Sequence, residues 1–462
     1  MANATQPNVI VFFTDQQRWD TVGCYGNTMG LTPNLDAMAG EGVRFDLAFT
    51  AQPVCGPARA CLQTGVYPTA VGCFRNGIPL PEDATTLAHR FAGAGYEVGY
   101  IGKWHLGGTG DQPVPPQRRG GYTDYWLAAD LLEFTSSPYG GGYYDADNRL
   151  VPFQGYRVDS QTDHALEYLR TRKRDRPFFL FLSYLEPHHQ NNLNRYVAPN
   201  GYAERYADFP PPQDLVGHPG DWQENLPDYW GICASIDENL GRVRAELRRL
   251  GLADNTILLF TSDHGSHFRT RNKEYKRSCH EASIRIPMVA WGRGFPAGRV
   301  VEELVSLADV PPTLLEAAGI AVPESLGTGL AGSCDVAILG SRIASQAEGL
   351  AIHGHSLMPL ARGEQVDWPD NVFVQISESQ VGRAVRTRRW KYAVDAPDRD
   401  GSTDADSPSY VEQYLYDLEA DPHEQENLVG RPEYRQVADH LAEVLVARMV
   451  AVGERAPTIT RR

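Results

Sequence analysis

The chain has 462 residues, of which 42% are hydrophobic, 10% aromatic and 22% charged; this is a globular balance that excludes disordered, collagen-like and small disulfide-scaffold classes. Its 43 Lys and Arg against 58 Asp and Glu give a net charge of −15, which excludes a generic nucleic-acid or anionic-membrane binder and requires any anionic ligand to be met by a local group of cations. Seven cysteines are few and odd in number, so a full disulfide framework is not expected.

The N-terminal segment has no basic run, and its apolar stretch from Val9 to Phe13 is too short for a signal peptide or a membrane span, so a cytoplasmic protein without a membrane partner is expected. Short apolar runs bounded by turn residues then alternate with helical patterns, the sequence form of an α/β fold with buried parallel strands. Strands are expected at Asn8–Phe13, Val98–Ile101, Pro177–Tyr184, Thr256–Phe260 and Pro287–Trp291. Helices are expected at Pro33–Ala39, Thr86–Ala94, Asp163–Arg172, Trp230–Leu250 and Asp309–Ala318. In the fourth of these, Ile232, Ile236, Leu240, Val243 and Leu247 recur at three- and four-residue steps and Gly251 ends the run.

From Gly319 to Gly354 the sequence becomes rich in small residues and weakly patterned, which marks a boundary. Residues 1–355 are expected to form the catalytic unit. Residues 356–462 form a smaller α+β unit, with strands at Val372–Ile376, Ala384–Val394 and Tyr414–Leu418 and a helix at Tyr434–Val450.

Polar clusters follow three of the strands: Thr14-Asp15-Gln16-Gln17, Gly102-Lys103-Trp104-His105 and Ser262-Asp263-His264-Gly265. Ligands of open α/β sheets gather beyond the carboxyl ends of the strands. Asp15, Gln16, Asp263 and His264 together offer carboxylate, amide and imidazole donors for a divalent cation. Singly, each acid is better explained as a helix cap or an acceptor of loop hydrogen bonds. Between these clusters, Cys55-Gly56-Pro57-Ala58-Arg59 places a cysteine before a helix expected to start at Pro57, where backbone N–H groups and an arginine favour an anion.

This segment resembles the Cys-x-Pro-x-Arg signature of the type I sulfatases, members of the alkaline-phosphatase-like superfamily. The resemblance spans nearly the whole chain: NVIVFFTDQQRWDTVGCYG, TPNLDAMAGEGVRF, GYEVGYIGKWHLG, LSYLEPHHQ, TILLFTSDHG, KRSCHEASIRIPMV and YLYDLEADPHEQENL are similar to family segments in the same order. It implies a large domain with a mostly parallel central sheet flanked by helices and a smaller C-terminal domain. It also implies oxidation of Cys55 to formylglycine by a separate formylglycine-generating enzyme.

By the same resemblance the hydrated aldehyde at 55 is the nucleophile and a metal ligand, beside Asp15, Gln16, Asp263 and His264. Arg59 orients it, Lys103 and Lys276 clamp the sulfate, His188 protonates the leaving alcohol and His105 takes the second hydroxyl proton. Many sulfatases have Asp-Asp where Asp15-Gln16 stands and asparagine where His264 stands. Calcium is the first expectation, with manganese, magnesium and zinc as alternatives. His189, beside His188, competes with it for the acid role.

The basic stretch Arg269–Arg277 begins soon after the metal-site residues, and His267, Arg269 and Arg271 are candidates for contacting substrate. With the Tyr- and Asn-rich stretch Gln190–Tyr206, it favours a sulfated sugar or oligosaccharide over a simple aryl sulfate. Two other readings remain open: a phosphonate monoester or phosphodiester hydrolase of the same superfamily, and a noncatalytic glycan- or sulfate-binding protein in which Cys55 stays unconverted. Cysteines 24, 61, 73, 233 and 334 read as structural, and Cys279 beside His280 is unassigned.

Overall fold

A computed structural model describes residues 6–323 and 351–462; Cys334 and most of the small-residue stretch lie outside the described residues. The large unit contains, in chain order, β1 (Asn8–Asp15), α1 (Pro33–Gly40), β2 (Gly42–Phe49), α2 (Cys55–Thr64), β3 (Glu97–Lys103), β4 (Tyr125–Ala129), α3 (Arg157–Thr171), β5 (Phe178–Pro187), α4 (Trp222–Arg249), β6 (Thr256–Ser262), β7 (Met288–Gly292) and β8 (Arg299–Ser306).

Five parallel strands in the order β6-β1-β5-β3-β4 form the centre of a 12-stranded sheet. β7 pairs antiparallel with β6 and β2, β8 runs parallel to β2, and short antiparallel strands extend the sheet beyond β4. Alternation along β1 divides the core between the two faces. Val9, Val11 and Phe13 pack with Ala58 and Leu62 of α2, and Ile10 and Phe12 pack with Leu35 of α1, Leu166 of α3 and Ile236 of α4.

Every expected strand and helix of this unit is present, with several shifted boundaries. β2, β4 and β8 are additional: β4 is only five residues long, and β2 and β8 mix charged with apolar residues near the sheet edge and lack the continuous apolar run of a central strand. α2 begins at Cys55, two residues before Pro57, which still falls within the first turn and loses no helical hydrogen bond. α4 begins at Trp222 and carries Pro227 inside its N-terminal part, the residue that made the sequence read as a later start.

The second sheet has the order β9 (Asn371–Ile376), β10 (Gly382–Thr387), β11 (Trp390–Asp395), β12 (Ser409–Asp417) and, after α5 (Arg435–Ala451), β13 (Thr458–Thr460). The run expected as one strand over Ala384–Val394 is instead the β10-β11 hairpin, whose turn at Arg388-Arg389 contains no Gly, Pro, Asn or Asp to announce it. One face packs through Phe373, Val385, Tyr392 and Leu415 onto Leu441, Leu445 and Met449 of α5. The other packs through Val372, Val374 and Ala384 onto Phe49, Ile284 and Leu304 of the large unit.

Lys391, fully buried, ties the two units together, 2.8 Å from Glu281 and 2.5 Å from Glu424. Leu357, Met358, Leu360 and Ala361, C-terminal to the 355/356 division, lie in the core of the large sheet. Among the described residues no helix is long and apolar enough to cross a membrane.

Candidate active site

The parallel strands deliver their last residues to one edge of the sheet. Asp15 ends β1, Lys103 ends β3, His188 follows β5, and Asp263 and His264 follow β6. Gly102 has φ +109°, and a Cβ there would lie 1.9 Å from the Ser183 carbonyl, so only glycine lets β3 deliver Lys103 this close to β5. α2 points its N-terminus at this edge and places Cys55, 1% exposed, at the centre of the cluster. Gly65, in the left-handed region, ends α2 with its N–H on the Cys61 carbonyl.

Cys55 Sγ lies 3.3 Å from Asp15 Oδ1, 3.3 Å from His264 Nε2 and 2.8 Å from Lys276 Nζ. Arg59, one helical turn on from Cys55, donates to Asp15 Oδ2 at 3.0 Å, to Ser183 Oγ at 2.7 Å and to the Lys103 carbonyl at 2.9 Å. Lys103 Nζ lies 2.9 Å from Asp15 Oδ2 and 3.3 Å from Glu133 Oε1. Lys276 Nζ is 3.1 Å from His188 Nε2.

Gln16, at φ +72°, donates its backbone N–H to Asp263 Oδ1 at 2.9 Å and its side-chain amide to the Tyr196 hydroxyl at 2.6 Å. His105, at φ +58°, is also in the left-handed region. Such strain in non-glycine residues is held only where the surroundings over-determine it.

The electrostatics of the cluster suit a bound cation. Burial works against the Asp15 carboxylate, but Lys103, Lys276 and Arg59 outweigh it and hold the group well below the usual carboxylate range. Burial and then the Asp15 charge push Asp263 up to about 7, and burial lowers His264 to about 4. One ligand atom each from Asp15, Cys55, Asp263 and His264 lies within 4.8 Å of all the others, and all four residues are buried. Asp263 Oδ2 and Gln16 Oε1 are buried without a hydrogen-bond partner. Two crowded carboxylates and two unpartnered oxygens fit a divalent cation, which would hold both acids ionised.

Burial, and then Asp15, raises the Cys55 thiol, so the unmodified side chain stays protonated and is a poor nucleophile as it stands. Burial, followed by the nearby lysine charges, holds His105 and His188 well below the ordinary histidine range.

Above this floor opens a cleft of about 360 Å³, lined among others by Cys55, His105, Phe134, His188, Asn191 and Lys276. The metal-ligand and catalytic candidates thus fall in one cluster. The three substrate candidates do not line the cleft. His267 is fully buried with Nε2 3.0 Å from the Lys276 carbonyl, so it supports the backbone of that lysine. Arg269 lies over the Tyr275 ring and donates to Asn194, and Arg271 donates to the carbonyls of His423 and Glu424 in the second unit.

His189 stacks on His188 at 4.5 Å between ring centroids and leans on Tyr275 at 4.3 Å. Glu133, Ser183, Tyr196 and Asn76 belong to the site or its immediate support, and no local pattern singles them out in the sequence. Cys279 is buried outside the cluster, and Cys24, Cys61, Cys73 and Cys233 are likewise unpaired.

Residues 7–320 match the family model described as Sulfatase. The chain is 30% identical over 465 residues to an ulvan-active sulfatase of Formosa agariphila, covering 97% of this chain and 82% of that protein. It is 25% identical over 530 residues to an N-acetylglucosamine-6-O-sulfatase of Bacteroides thetaiotaomicron, covering 95% and 86%. Among solved structures, one of a protein in complex with its substrate D-glucosamine-2-N,6-O-disulfate superposes with a TM-score of 0.80 at 22% identity, covering 98% of this chain and 99% of that one.

Proposed function

The chain belongs to the sulfatase family and hydrolyses sulfate esters, and from that premise we propose that Cys55, as formylglycine, is its nucleophile and a sulfated sugar or oligosaccharide its substrate. The observation that carries this reading is the position of Cys55 Sγ: at the start of a helix, 3.3 Å from both Asp15 and His264 and 2.8 Å from Lys276, on the floor of an open cleft. Conversion requires a formylglycine-generating enzyme as a maturation partner.

Asp15, Gln16, Asp263, His264 and residue 55 would hold the divalent cation, with calcium the first choice for a set dominated by oxygen donors. When bound, the cation would neutralise the clustered carboxylates and make a coordinated hydroxyl more acidic. A hydrated aldehyde at 55 offers two hydroxyls on one carbon, one to attack sulfur and one whose proton can later be removed to release sulfate.

The chain's own residues supply the rest. Arg59, fixed by Ser183 and Asp15, orients the side chain of residue 55. Lys103 and Lys276 flank it and bind the nonbridging sulfate oxygens. His188, whose Nε2 lies 3.1 Å from Lys276 Nζ, would take up a proton once the bound anion offsets the lysine charges and would give it to the leaving oxygen, while the neutral His105 would remove the proton of the second hydroxyl. We assign this machinery to residues 1–355 and a supporting role to residues 356–462.

The sugar reading is supported by the substrates named for the two sugar-acting proteins above and by the cleft wall. Asn191 can meet hydroxyls there, and the exposed Phe134 ring offers a flat apolar face. The test has two arms. Mass analysis of the peptide containing residue 55, from protein made with the maturation system, should show the aldehyde. Matched esters should show cleavage of a sulfated sugar in preference to a phosphonate monoester. An unmodified thiol in protein from the native host would overturn the nucleophile, and a strong preference for the phosphonate would overturn the substrate class.

A further inference from the structure

The turn after β9 brings the second sheet up to the catalytic floor. Glu378 of this turn is a non-glycine residue at φ +63°, and it reaches the segment that bears Lys276 directly, through Arg277, and the one that bears residue 55 through Asn76. Glu378 Oε1 accepts the backbone N–H of Asn76 at 2.7 Å, and Asn76 Oδ1 accepts the N–H of Gly56 at 2.9 Å. Gly56 is the second residue of α2, so its N–H is one of the four helix-start donors that have no partner within the helix. Asn76 satisfies it from a distant segment, directly beside residue 55.

The other carboxylate oxygen, Oε2, pairs with Arg277 Nη2 at 2.5 Å. Arg277 follows Lys276 and is itself at φ +68°. Its N–H donates to the Pro53 carbonyl at 3.2 Å, and its own carbonyl accepts the Ser379 hydroxyl at 2.7 Å. The neighbours of Glu378 tighten the same join. Gln52 donates to Ser377 Oγ at 2.6 Å, and Gln375 N–H donates to the Ala51 carbonyl at 2.9 Å.

One carboxylate therefore spans the helix start that bears residue 55 and the loop that bears Lys276. Two non-glycine residues in the left-handed region meet across a single ion pair. Strain of this kind persists only where surrounding contacts fix it, and it concentrates where geometry matters to function.

We propose that Glu378 is a positioning residue for catalysis: through Asn76 and Arg277 it holds residue 55 and Lys276 in register with each other. The side chain is 16% exposed, and it touches neither reacting group. Its effect is on alignment, and misplacing reacting groups by about 1 Å can cost on the order of a hundredfold in rate.

The proposal rests on residue 55 as nucleophile, and the experiment separates the two. Turnover of a sulfated sugar is measured per aldehyde-bearing site, titrated with a hydroxylamine probe, for the full-length wild type, Glu378→Ala, Glu378→Gln and Asn76→Ala, and per mole of protein for Cys55→Ala. The expected result for Glu378→Ala is a loss of at least about tenfold in kcat per titrated site, with KM changed by less than about threefold. Glu378→Gln keeps an acceptor for Asn76, and it should recover part of that loss. Asn76→Ala leaves the Arg277 ion pair intact, and it should also lower kcat per titrated site.

A lower melting temperature with unchanged kcat per titrated site in both Glu378→Ala and Asn76→Ala would overturn the proposal and leave Glu378 a stabilising contact only. If Glu378→Ala does not fold, Glu378→Gln and Asn76→Ala decide it by the same criterion. Turnover retained by Cys55→Ala would instead overturn the nucleophile assignment beneath it.

Discussion

The two sheets of this protein solve different problems. β1, β5 and β6 are buried along their whole length on both faces, so polar side chains are tolerated mainly where these strands end, and there the candidate site collects. The second sheet is pressed between α5 and the large unit. It contributes no residue to the cluster around Cys55, but through Glu378, Lys391 and Glu424 it fixes the loops that do. A site can thus be drawn from one sheet and depend on another for its alignment.

If the chemistry belongs to the large sheet alone, the largest effect should come from Cys55→Ala. Turnover of a sulfate ester is expected to fall by at least about ten-thousandfold with the melting temperature little changed, as read from sulfate release and a thermal scan of the same preparation. His188→Ala should follow, with a loss of about a thousandfold on a sugar sulfate. The loss should be far smaller on an aryl sulfate whose phenol leaves without help, and the ratio of the two substrates isolates the proton donor.

The second sheet is probed by Lys391→Ala, which strands the buried Glu281 and Glu424 charges. Stability should drop by about 3 kcal/mol, measured by urea unfolding.

The smallest effect concerns a surface network remote from both. Hydrogen bonds from Arg249 and then Arg170 lower Glu246 to about 2, against an ordinary value of 4.5. A lowered carboxyl stabilises the fold above its unfolded value and loses that contribution as pH falls through 4.5 toward 2. Both arginines are largely exposed, so Glu246→Gln should cost only about 0.5 kcal/mol at neutral pH. Wild type and variant should converge only in melting scans taken at about pH 2 and below, where the native carboxyl is itself protonated.

Much of the large sheet was legible because buried parallel strands write themselves as apolar runs. The polar clusters at Asp15, Lys103 and Asp263 were legible for the same reason: each interrupts such a run at its end. β2 and β8 were not, since charged residues such as Arg44, Asp46, Glu302 and Glu303 interrupt their apolar runs.

The basic run Arg269–Arg277 suggested substrate contacts by charge alone. Folding turns Arg269 onto Tyr275 and Arg271 toward the second unit, leaving Lys276 in the cleft with a lining position also for Arg277. Glu133, Asn76 and Glu378 carry no local signature. Each matters through a partner at least 20 residues away in sequence, which only the closed fold supplies.

The depth of Cys55 also sets a clock. In the folded chain its side chain is 1% exposed, at the bottom of a cleft of about 360 Å³, which admits a small ester but not the active site of another protein. Any enzyme that must grasp the chain around this residue has to meet it before β1, β5 and β6 close over it. Under the proposed conversion of Cys55, the fraction of active molecules would record a race between modification and folding during synthesis. Expression conditions that speed folding should then yield protein that is natively folded and silent.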